Sequence, residues 1–249
     1  MPELSRRQFS RDVLGSLLTY TLLETVITSD ALADDVSGIT AGWLRELDAQ
    51  GRALKGKAIP ESEWKKQVEL LMGRVELKEL LKFLDFEKLT SAIKFREKGE
   101  LSLRPKFPKV EGLPTELVYG HQIFALAKGQ SVVPHGHDNM ATAFLVLDGQ
   151  FHGRHYDRLE DTRTSMIIRP TIDRQFQVGQ YSTVTDSDDN VHWFKATAEK
   201  GFIFNIHVLN IEPGRLTRRV YVDPDGKKLA GGKIEAPKLK AAEAFKKYG

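Results

Sequence analysis

A mainly β fold is what this 249-residue sequence predicts: a small antiparallel barrel of the jelly-roll kind behind an N-terminal α-helical segment. Three observations predict it. From Leu117 onward, short apolar runs alternate with turn clusters such as Asp148-Gly149 and Asp186–Asn190, at the spacing of a small barrel. From Asp34 to about Lys98, apolar residues recur every three to four positions instead, which is the period of helices. Between the two, Arg104-Pro105-Lys106-Phe107-Pro108 and Gly112-Leu113-Pro114 break any regular element and mark a linker.

In chain order, the first stretch reads as an address. Ser5-Arg6-Arg7-Gln8-Phe9 resembles a twin-arginine export signal, followed by the modestly apolar run Val13–Thr28 and a small-x-small cleavage site at Ala31-Leu32-Ala33. Thr19, Thr21 and Glu24 interrupt the run, which is too short for a stable membrane span. The expectation is a signal over residues 1–33 and a periplasmic protein beginning at Asp34; the competing reading keeps the segment as an amphipathic helix. Residues 34–99 form helices: Ile39, Trp43, Leu44 and Leu47 share one stripe, and Pro60 opens a second helix carrying Trp64, Val68, Leu71 and Met72. These stripes are core material for a helical layer packed on the barrel. The barrel itself is expected over residues 100–225, with strands at Leu117–Ala127, Ala141–Leu147, Gln150–Tyr156, Ser165–Arg169, Tyr181–Val184, Val191–Ala196 and Phe202–Leu209. Residues 226–249 read as a basic tail, helical over Ala236–Tyr248.

Composition narrows the chemistry. A net charge of +3 with interspersed signs gives no nucleic-acid footprint. The absence of cysteine excludes disulfides, thiolate metal sites and a cysteine nucleophile. No phosphate-binding or dinucleotide glycine fingerprint is present, and Asp186–Asn190 lacks the glycine and terminal glutamate of a calcium loop.

The histidines carry the functional signal. His135 and His137 are two residues apart, so on a strand both imidazoles face one side. Their Cα atoms are then roughly 6.5–7 Å apart, a span that two ring nitrogens close onto one cation at ~2.1 Å each. His192 is available as a third ligand. Three neutral imidazoles leave a divalent ion its full charge and open positions, which favours an anionic ligand such as a thiolate. That argument does not choose among Fe(2+), Zn2+ and Mn2+.

Flanking residues add a resemblance. Gly129, five residues, His135-x-His137 and then Gly149 resemble the first cupin motif, with Thr142 where that motif has a glutamate ligand. His135-x-His137-x-x-Met140, Gly149-x-x-His152, Tyr156-Asp157 and Asn190-x-His192-x-Phe194-x-Ala196 look like the plant cysteine oxidase and cysteamine dioxygenase family. The resemblance implies a cupin-type barrel, iron held by His135, His137 and His192, and O2-dependent oxidation of a small thiol to a sulfinic acid. It also puts Tyr156 among the candidate catalytic residues, and a looser resemblance of Asn205-x-His207-x-Leu209 to the Ser-x-His-x-Tyr segment of mammalian cysteine dioxygenase adds His207 and Asn205. His207, fifteen residues after His192, is read either as a group that orients substrate or as a hydrogen-bonded core histidine. His152 and His155 face opposite sides of one strand and are expected to be structural, as is His121. Two rivals use the same three histidines: a zinc or manganese hydrolase or isomerase, and a non-catalytic metal- or ligand-binding cupin.

Overall fold

A computed structural model describes residues 30–249, with side chains from residue 38. The expected export signal lies outside the described residues apart from its last few positions, where the first helix begins. Helix α1 (Asp30–Lys55) is followed by α2 (Glu61–Met72), α3 (Leu77–Phe83) and α4 (Phe86–Thr90). Lys57, at φ 57°, supplies the left-handed residue that ends α1. The Trp43 indole donates to the Leu71 carbonyl at 2.8 Å and locks α1 to α2. Asp48 on α1 accepts the Val118 N–H at 2.6 Å, which fixes the linker where it enters the sheets.

Two antiparallel sheets follow. The first has the order β1 (Leu101–Leu103), β2 (Gly120–Ala127), β9 (Lys200–Leu209), β4 (Met140–Asp148) and β7 (Tyr181–Val184). The second runs β10 (Arg218–Tyr221), β3 (Ser131–Asp138), β8 (Val191–Ala196), β5 (Phe151–Asp161), β6 (Ser165–Phe176), β12 (Ile234–Pro237) and β11 (Lys227–Lys228). Asn139, left-handed at φ 60°, carries the chain from β3 in the second sheet to β4 in the first; a short polar side chain tolerates that conformation.

Alternation along the strands builds two separate cores. On β4, Ala141, Ala143, Leu145 and Leu147 face the helices with Leu44, Trp64 and Leu80, while Phe144 and Val146 face the barrel interior. Both faces are covered, so this strand is an unbroken apolar run instead of an alternating one. The interior is filled at one end by Phe151, Phe176, Phe194, Leu126 and Ile203. Its other end is polar.

The segment expected to be a basic tail contributes β11, β12 and only a short helix, α5 (Ala241–Tyr248). β12 pairs with β6 from Ile234↔Ile168 to Pro237↔Ser165, so the predicted helix starts five residues late. Ala236 is needed as core behind Met166 and Ile168, and that burial overrides its helical preference.

Candidate metal centre

Strand β3 would aim its histidines the wrong way without an irregularity. Val132 belongs to the interior cluster and Val133 to the outer cluster beneath α5. Simple alternation would then send His135 outward. A register shift between Val132 and His135, at Pro134, re-phases the strand and turns both His135 and His137 inward. His192 on β8 sits directly across from His135.

The three imidazoles converge. One ring nitrogen from each of His135, His137 and His192 lies within 4.8 Å of the others, and all three residues are buried. His135 Nδ1 faces the Val133 carbonyl at 2.7 Å, so that nitrogen carries the proton and Nε2 presents a lone pair. His192 Nδ1 faces the Asn190 carbonyl at 3.3 Å, leaving its Nε2 as a buried acceptor with no partner. His135 Nε2 and His137 Nε2 are 3.0 Å apart. Two cis ligands at ~2.1 Å and about a right angle span about that distance. Burial pushes all three histidines well below their ordinary value, with the Arg219 guanidinium adding to the effect, so they stay neutral and ready to ligate. An orphaned acceptor, neutral rings and an inward-facing lone pair are what a divalent cation would satisfy.

A cavity of about 210 Å³ lies against this group. His207 and Asn205 on β9 line it together with Thr142 from β4 and Gln122 from β2, and Arg219 enters from β10. Phe124, Phe144, Met140 and Leu209 form the apolar part of its wall. His207 Nδ1 is 3.3 Å from Asn205 Oδ1, which also accepts from Gln122 at 3.0 Å. Burial, and behind it Arg219, lowers His207 to about 4, so it is neutral near pH 7.

Tyr156 is not at this cavity. His155 faces inward, its ring 6.2 Å from that of His192, so its neighbour Tyr156 faces out. It packs with Met166, Ile168 and Val222, and lines a different cleft with Arg154 and Asp225. Tyr156, expected among the catalytic residues, therefore lies outside the cavity that the three histidines share. His152, the residue matching the family pattern, pairs with Asp173 on the outside. His121 stacks on Phe107 at 4.0 Å and bonds the Pro105 carbonyl at 3.0 Å, a structural placement.

Sequence reasoning missed Arg219. Its signal was the stretch Leu216–Val222, which alternates Arg219 and Tyr221 against Val220 and Val222, downstream of the last expected strand.

No family model matches the chain, and no curated protein matches it by sequence. Among solved structures, it is similar to procruciferin, an 11S globulin from Brassica napus, at TM-score 0.33 and 15% identity over 42% of this chain. The chain spans 23% of the length of that globulin. A double-stranded β-helix protein from Klebsiella pneumoniae gives TM-score 0.35 and 9% identity over 52% of this chain and 86% of its own. A cupin superfamily protein from Desulfitobacterium hafniense gives 0.32 and 17%, over 49% of this chain and 87% of its own. Likenesses this distant carry no argument about function, and the strand order stands without them. The chain is a two-sheet antiparallel jelly roll, with a three-histidine group of metal-binding composition at the polar end of its barrel.

Proposed function

We propose that the chain is a non-haem Fe(II) dioxygenase that oxidises a small thiol to a sulfinic acid. The observation that supports this most is the donor set: three buried neutral imidazoles, no carboxylate among them, beside a small polar cavity. The overall change is RS⁻ + O2 → RSO2⁻, with both oxygen atoms going to sulfur and no outside reductant. Fe(II), held by His135, His137 and His192, would supply Lewis-acid and redox chemistry for the reaction of a thiolate with O2. The protein's own groups do the positioning. The Val133 and Asn190 carbonyls hold the outer ring N–H groups of His135 and His192 and so aim their Nε2 atoms inward. Phe124, Phe144 and Leu209 keep water from one side of the substrate, while Asn205 and His207 offer a polar wall without adding charge. Export by the twin-arginine route is proposed with it, from Ser5–Phe9. Periplasmic protein should begin at Asp34, and material that still begins at Met1 would sink that part.

The test starts with metal analysis of anaerobically purified protein. About one iron per chain is expected, lost in His135→Ala, His137→Ala and His192→Ala but kept in His121→Ala. An oxygen electrode then screens cysteine, cysteamine, 3-mercaptopropionate and peptides with N-terminal cysteine, with about one O2 consumed per thiol. Iron-loaded protein that oxidises none of them, and whose iron spectrum no thiol perturbs, ends the dioxygenase reading in favour of a ligand-binding cupin. Stoichiometric zinc or manganese without oxygen uptake would favour a hydrolase or isomerase on the same ligands.

A further inference from the structure

Among the described residues, the cavity beside the three histidines is lined by one formally charged side chain, the cation Arg219, and by no carboxylate. Arg219 stands on β10 directly across from His137. Its side chain lines the same cavity as His135, His137, His192 and His207. Outside the cavity it meets Glu100, but at 3.6 Å and through a single nitrogen. That is too long for a charge-assisted fork-to-fork pair, so the guanidinium keeps donors free. Burial raises the Glu100 carboxyl, and its Oε2 has no partner among the described residues. A second unspent group lies on another wall. Thr142 Oγ1 is buried, its residue only 2% exposed, without a hydrogen-bond partner. A buried hydroxyl left unpaired inside a polar cavity marks a place where a ligand atom belongs.

We infer that the substrate is a short thiol carrying a carboxylate, which pairs with Arg219 while the sulfur reaches the three histidines and the Thr142 hydroxyl donates to the bound molecule. This deepens the thiol reading above and rests on it. An ammonium at the same place would meet a guanidinium and a divalent ion with no carboxylate to receive it. Cysteamine, the amine thiol of the family resemblance, is thereby disfavoured. The cavity volume, about 210 Å³, is below that of pockets for drug-sized ligands and suits a molecule of few heavy atoms.

Three thiols of matched length test this: 3-mercaptopropionate, propane-1-thiol and cysteamine, titrated calorimetrically into metal-loaded protein without oxygen at pH 7. The anionic thiol should bind at least about 10-fold more tightly than either of the others, as a charge-assisted pair supplies. Cysteamine's ammonium makes its thiol the more acidic, so any bias from ionisation runs against this order. Arg219→Met should bring the three within about 3-fold at unchanged metal content, and Arg219→Lys should restore part of the preference. Cysteamine binding as well as 3-mercaptopropionate overturns the inference, as does a preference that survives Arg219→Met or a failure of all three to bind. Should Arg219→Met not fold, the order in the native protein decides alone. Binding in the expected order without O2 uptake would keep the carboxylate site and remove the oxidation. O2 uptake with cysteamine preferred would do the reverse.

Discussion

Gly120 has no side chain because His207 occupies the space that one would need. The two residues are paired across β2 and β9, and a Cβ at position 120 would overlap His207 Nε2. Gly120→Ala should therefore push the ring off its bond to Asn205. In the oxygen electrode its kcat/KM should fall about 10–100-fold at unchanged iron content, the usual cost of losing a group that orients a site. A full rate in that variant would show that the position of His207 does not matter. Residue identity alone makes part of the site legible. The spacing His135-x-His137 gives one face, and His192, Asn205 and His207 do fall on interior positions. Tyr156 was misplaced for a plain reason. Its aromatic ring suits the outer core as well as the inner one, and only the phase set by His155 separates the two.

Among the elements, β3 is the one whose geometry the site depends on. Pro134 sits in its bulge and has no N–H to lose, so the irregularity costs the ladder little there. Asp138 at its end binds Arg158 of β5 at 2.7 Å and Arg218 of β10. Burial alone would raise the Asp138 carboxyl, but the two guanidiniums outweigh it and hold it below its ordinary value. The two pairs are unequal in worth. The Arg158 side chain is 12% exposed and that of Arg218 51%, so solvent screens the second far more. Arg158→Met should cost about 2 kcal/mol in urea denaturation and Arg218→Met under about 1 kcal/mol. Equal losses would mean that burial does not set the difference. The pattern of apolar residues exposed most of these strands, because Phe, Val and Ile punctuated by turns leave few alternatives. It did not expose β1, β3, β10, β11 and β12. Lys227-Lys228 and Arg218-Arg219 read as solvated charge, and only pairing with β3 and with β12 makes them strand.

At the scale of the molecule, buried neutral histidines make the fold sensitive to acid. His155 is fully buried, and desolvation, with Lys65 and Arg174 adding to it, pushes it down to about 3 from an ordinary 6.5. The unfolded chain takes up a proton near 6.5 that the folded chain refuses until about 3. The His155 contribution to stability should thus be lost as pH falls from about 6.5 toward 3, with His135, His137 and His192 adding in the same direction. Denaturation at several pH values checks it: His155→Leu should show a slope shallower by about one proton, and an unchanged slope would assign the acid sensitivity elsewhere. The helical layer packs on the first sheet and α5 against the second, and neither lines the cavity at the polar end where the histidines lie. One consequence concerns synthesis on the ribosome. β3 gains its outer neighbour, β10, only from residues made eighty positions later. Until those residues leave the exit tunnel, β3 is the rim of an unfinished sheet and the cavity has no Arg219. A nascent chain can thus form the helical layer and most of the barrel before it can form a complete cavity.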